Sequence, residues 1–132
     1  MSVTITDYRP SILITRNSVR QSVPVTTWDA VYSDITLADG GTTEVQDDSL
    51  TQYGVVTRIS VTIAENTNSK GVTITIDDKN GKEIFNSGIL AHNATHLLAV
   101  DITLVGKITL GAVAEADPGE DFLVGVILTG EG

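Results

Sequence analysis

A chain of 132 residues is one domain's worth, and 41% apolar residues are enough for an ordinary core. The absence of Cys excludes disulfides, thiolate nucleophiles and Cys-ligated zinc. A net charge of −9, with no apolar run long enough for a bilayer-spanning helix, argues against nucleic acid and membrane as partners.

The first 28 residues, MSVTITDYRPSILITRNSVRQSVPVTTW, stand apart. Arg9, Arg16 and Arg20 face the single acid Asp7, so the segment is +2, whereas residues 29–132 are −11. Three arginines also fit ordinary scatter, but a basic leader on an acidic body suggests different partners for the two. Strand propensity is high over 2–6, 11–16 and 19–26, yet Pro10 and Pro24 interrupt it. Proline lacks the ladder donor and favours edges or extended arms. We therefore expect an extended arm over 1–28 and a body over 29–132. Such an arm either covers an edge of its own sheet or crosses to a neighbouring subunit.

Further strands are expected at 30–37 and 42–46, and DDSLTQY (47–53) is the one window suited to a helical turn. In VVTRISVTIA, Val55, Ile59, Val61 and Ile63 alternate with Arg58, Ser60 and Thr62. Val72, Ile74 and Ile76 share a face, as do Leu98, Val100, Ile102 and Leu104; residues 107–113 add another strand. In DFLVGVIL, Phe122, Val124, Val126 and Leu128 form one apolar face, and Leu123 and Ile127 make the opposite face apolar too. That pattern predicts a central strand covered on both sides. Turn residues punctuate the series at Asp39-Gly40-Gly41, Asn80-Gly81, Gly106 and Asp117-Pro118-Gly119. The fold class expected is all-β, an antiparallel β-sandwich or jelly-roll-like body led by an extended N-terminal arm.

Candidate chemistry is sparse. His92 and His96 are spaced for zinc only on a helix, and here they flank a loop. Asn93-Ala94-Thr95 matches a glycosylation acceptor by chance. Asp47-Asp48, Asp77-Asp78 and Glu120-Asp121 are adjacent pairs, which point to opposite faces of a strand. Trp28 with Tyr32 could form a small sugar-stacking platform, though a core Trp is the simpler expectation. In ITIDDKNGKEIF (74–85) the calcium-loop pattern fails, because its first carboxylate would fall on Ile76. A hairpin fits better: a three-residue loop, Lys79-Asn80-Gly81, sets Asp78 against Lys82 and Ile76 against Ile84, with Gly81 left-handed. No enzyme activity and no cofactor are expected.

From about Val55 onward, RISVTIAEN, VTITIDDKNGKEIFNSGIL, HNATHLLAVDITL and GKITLGAVAEADPGEDFLVGVIL resemble small β-sandwich virion proteins of tailed bacteriophages. The nearest type is the decoration (cement) protein that studs capsid shells. The resemblance lies in strand and turn patterns, so no residue role is transferred by motif. It implies a sandwich or jelly-roll body, often trimeric, made in the host cytoplasm and carried on the virion surface. It also implies strand-like arms that touch the major capsid protein or a neighbouring subunit. Placed on this chain, Tyr8, Arg9, Arg16 and Arg20 are the expected arm contacts, and a homo-oligomer, trimer first, is the expected assembly. The alternative is a non-catalytic binding module, either carbohydrate-binding or a tail or baseplate adaptor.

Overall fold

The computed structural model describes residues 2–8, 11–16, 19–24 and 27–132, the first three stretches and Asp34 by backbone alone. Among these residues the chain forms eleven strands and no helix. They are β1 (Ser2–Tyr8), β2 (Ser11–Arg16), β3 (Val19–Pro24), β4 (Thr27–Leu37), β5 (Glu44–Asp47), β6 (Thr51–Ile63), β7 (Val72–Asp77), β8 (Glu83–Leu90), β9 (Ala94–Lys107), β10 (Thr109–Ala114) and β11 (Phe122–Glu131). One sheet has the order β1-β4-β11-β6-β9 and faces a second of order β5-β10-β7-β8, while β2 and β3 form a separate ribbon. Every pairing is antiparallel. The expected antiparallel β-sandwich is the architecture observed.

The core lies between the two sheets. From the first come Trp28, Tyr32, Ile59, Val61, Val124 and Val126; Ile74, Ile76 and Leu110 oppose them from the second, all within 1% of full burial. Fully burying an aliphatic side chain stabilises by about 1.5–3 kcal/mol, so these inward rows are the main force holding the sheets together. In the leading segment, β1 pairs with β4 from Ser2↔Ser33 to Tyr8↔Thr27 and so lines the edge of its own sheet.

Bulges decide which residues face inward. On β4, Trp28, Ala30 and Tyr32 are buried, and then Ile35 and Leu37; the parity changes across Ser33-Asp34. The register shows the cause: Val126 opposes Tyr32 and Val124 opposes Ile35, so two residues of β4 face the single Gly125 of β11. A second irregularity at Thr57 lets Val56, rather than the expected Val55, join Ile59, Val61 and Ile63 in the core. The helical turn expected at 47–53 is absent. Asp47 ends β5, and its Oδ1 accepts from Ser49 N at 2.8 Å and Ser49 Oγ at 2.5 Å. That local side-chain bonding competes with helix formation.

The acidic hairpin follows the expected turn. Gly81 N donates to Asp78 O at 3.0 Å, Asp78 N donates to Lys82 O at 2.8 Å, and Gly81 sits at φ +78°. The Asp78 carboxylate accepts from Asn80 N at 2.9 Å and Lys82 N at 3.0 Å, so it holds the turn. One pairing differs: Asp77 keeps the expected place opposite Glu83, but a shift between Asp77 and Ile76 sets Ile76 against Phe85 instead of Ile84. Gly81→Val places a β-branched residue in the left-handed region, at a cost of about 1–2 kcal/mol. The thermal midpoint should fall by a few degrees. An unchanged midpoint would refute this role for Gly81.

Candidate functional site

β11 is central, as its two-sided apolar pattern predicts, but its outer face is open. Phe122, Val124, Val126 and Leu128 are buried, whereas Leu123 and Ile127 are 49% and 37% exposed. Among the described residues, the expectation of cover on both sides is therefore unmet. The register carries this face across the sheet: Ile127 lies opposite Val31 on one side and Ser60 on the other, and Ser60 lies opposite Leu97. Leu97 projects at the β9 edge, 68% exposed. Towards one end, Tyr53 and Val105 pair across β6 and β9, 67% and 55% exposed. Of the six large hydrophobics exposed among the described residues, five lie on β6, β9 and β11; Ile89 on β8 is the sixth.

Gly125 breaks the surface. It has no side chain, and no atom lies within 4 Å of where its Cβ would stand. With the bulge beside it, it opens a depression of about 320 Å³ lined by Val31, Ser33, Thr62, Leu123 and Ile127 among others. Its lining residues carry no charge. Apolar side chains around an uncharged hollow make an exposed patch of the kind that marks interaction sites.

The residues singled out from sequence fall as follows. Tyr8, Arg16 and Arg20 sit on β1, β2 and β3, whose side chains are not described, and Arg9 lies outside the described residues. Trp28 and Tyr32 are completely buried, so they form no surface platform for a sugar. Both keep an unpaired polar atom in the core, Trp28 Nε1 and Tyr32 Oη. Burial, followed by the nearby Asp47 carboxylate, pushes the Tyr32 phenol well above the usual tyrosine range. Tyr32 therefore stabilises the fold below its ordinary value near pH 10, and that contribution is lost as pH rises above it, because only the unfolded chain ionises readily. An unpaired buried hydroxyl costs about 1–3 kcal/mol. Tyr32→Phe should keep or raise stability at neutral pH and blunt the alkaline loss. A neutral-pH loss above about 1 kcal/mol in urea unfolding would contradict the orphaned hydroxyl.

The histidines serve backbone groups: His92 Nδ1 accepts from Asn66 N at 3.5 Å, and His96 Nε2 lies 2.8 Å from Ala91 O. Asn93 takes φ +53° in the turn between β8 and β9, a conformation Asn tolerates. The carboxylate pairs are likewise structural. Asp48 meets Lys107 Nζ at 3.2 Å, and Glu120 accepts from Thr67 Oγ1 at 2.8 Å. The 39–41 turn is tied to the 117–121 loop, with Asp39 N donating to Asp121 Oδ1 at 2.7 Å and Gly40 N to Asp117 Oδ1 at 3.2 Å. Backbone donors from Gly119 and Gly40 hold the Asp117 carboxyl below its usual range. Partial desolvation and then the Asp117 carboxyl raise Asp39. No described His, Asp or Glu residues group as a metal site.

The open apolar face is not legible in the sequence, although its signals are present. The apolar odd positions of β11 read as cover from the chain's own elements. The parity change in WDAVYSDITL, which marks the bulge, passed unread.

No family model and no curated protein matches the chain. Among solved structures it is similar to one described as showing the promiscuous specificity of carbohydrate-binding modules from the β-sandwich superfamily, at 9% identity and TM-score 0.39. That match covers 99% of this chain and 56% of the other, so the chain spans little more than half its length. A second is the C-terminal family 22 carbohydrate-binding module of Clostridium thermocellum Xyn10B, at 11% identity and TM-score 0.38, covering 97% of this chain and 85% of that one. Both likenesses are too distant to assign a function.

Proposed function

We propose that this chain is a non-catalytic structural protein of a virion, a decoration protein that binds the phage head shell and associates with its own kind. The observation that carries the assembly part is the open outer face of the five-stranded sheet, where five exposed hydrophobics gather on three strands. Monomers seldom leave large contiguous apolar patches uncovered, and such patches mark protein contacts. The shell-binding part is supported by the resemblance of the body and by the basic leading segment, +2 against −11 for residues 29–132. In this reading the β2–β3 ribbon, a separate sheet of two strands, reaches the major capsid protein. Two strands alone are marginal in water, so a partner surface would complete them.

Charge reversal at Arg16→Glu with Arg20→Glu tests this without shortening the chain. Co-sedimentation with shells of the cognate major capsid protein should fall at least tenfold while the β circular-dichroism spectrum is kept. Undiminished binding would remove the arm from the contact.

A further inference from the structure

The two-sided apolar pattern of β11 implies a cover that the described residues do not supply. We propose that the cover is a second copy of this chain, packed face to face on the outer side of the five-stranded sheet, about a two-fold axis lying along β6. The pairing presupposes the self-association proposed above and names the surface that makes it.

Charge favours a second copy. Each chain carries −9, so two copies meeting at random set carboxylate against carboxylate. The outer face escapes this. Its exposed charges among the described residues are Arg58, Asp101, Lys107 and Glu131, two of each sign. The half-buried Asp29 carboxylate accepts from Thr129 Oγ1 at 2.9 Å. Among the described side chains, the middle of the face, from Leu123 and Gly125 to Ser60 and Leu97, is uncharged.

Shape points the same way. The strand order β11-β6-β9 puts β6 midway between the hollow at Gly125 and the projecting Leu97. An axis along β6 exchanges β9 with β11. Leu97 of each copy then lies over Ile127 of the other, at the rim of the hollow, and the same contact is made twice, as an isologous interface requires. The Arg58 side chains, on the axis strand, each have an Asp101 on the neighbouring β9. Extent is modest: the three strands that overlap about this axis, about 4.8 Å apart and some eleven residues long at about 3.3 Å each, give a footprint of roughly 520 Å². A standard interface buries about 800 Å² per partner, so the contact belongs to the smaller, weaker class. Facing sheets align within about 30°, so the pair becomes a four-layer sandwich. This arrangement favours a dimer over the trimer expected from the resemblance.

The chain's lack of Cys makes the test clean. Light scattering of the full chain should give twice 13.9 kDa. Leu97→Glu and Ile127→Glu should each weaken association at least tenfold with the β spectrum retained. As a milder probe, Thr62→Cys on the axis strand should be joined to a second copy by a short bis-maleimide. Asn86→Cys, exposed on the other sheet, should not. A wild-type monomer would overturn both this pairing and the self-association it presupposes. A trimer, an oligomer unaffected by Leu97→Glu, or cross-linking at Asn86→Cys but not at Thr62→Cys would overturn this face alone and leave self-association standing.

Discussion

Gly130→Ala is expected to destabilise the protein by about 3 kcal/mol, the upper end of what one added methyl costs in a packed core. A Cβ on Gly130 would stand 2.4 Å from Trp28 Cζ2 and 2.6 Å from Val55 O. Neither neighbour can yield cheaply. Trp28 is fully enclosed, and the Val55 carbonyl belongs to β6, which β11 pairs at this point. Gly130 is also opposite Trp28 in the β4–β11 ladder, so moving its backbone would disturb the strand that carries the largest core side chain. In urea the midpoint should fall with the slope unchanged. Trp28→Phe removes the obstructing ring edge, so the double variant should lose less than the two single losses added together. A wild-type midpoint for Gly130→Ala would mean that the Trp28 ring has room to move.

Trp28→Ala should cost about 3–5 kcal/mol, the range for deleting a large buried aromatic. The indole projects from β4 and lies against Gly130 of β11 at 0% exposure, and its loss leaves a cavity that a two-sheet core closes poorly. Against a typical total of about 5–15 kcal/mol, this is a large fraction of the protein's stability. Part of the loss is offset, because the unpaired Nε1 leaves with the ring. The result also bears on sugar binding. Any loss of glycan affinity in Trp28→Ala would reflect unfolding, since the ring does not reach the surface. A stability loss under about 1 kcal/mol would contradict its place in the core.

Strand existence was readable from alternation because one buried face imposes a period of two. Val72, Ile74 and Ile76, and the inward row of β11, lie inside as the pattern requires. The hairpin at Asp78–Gly81 was readable because few loops suit those residues. Bulges were not, since each needs a partner strand to define it. The Ser33-Asp34 bulge, the inward turn of Val56 and the Ile76–Phe85 pairing all follow from register between strands. Nor could alternation say what covers a second apolar face: Leu123 and Ile127 look the same in sequence whether a helix, a sheet or another copy lies over them. DDSLTQY suits a helical turn in sequence but does not form one, because the short side chains of Asp47 and Ser49 suit either local use. A core Trp28 is the simpler expectation and the one observed, whereas the burial of Tyr32 and the unpaired polar atoms of both become visible only in three dimensions.

Attachment to a head shell can be measured by titrating the purified protein against shells of the cognate major capsid protein and following the bound fraction by co-sedimentation. Saturable binding at a fixed number of copies per shell is expected. No binding at any concentration, together with retention on a glycan array, would contradict it and make the chain a carbohydrate-binding module.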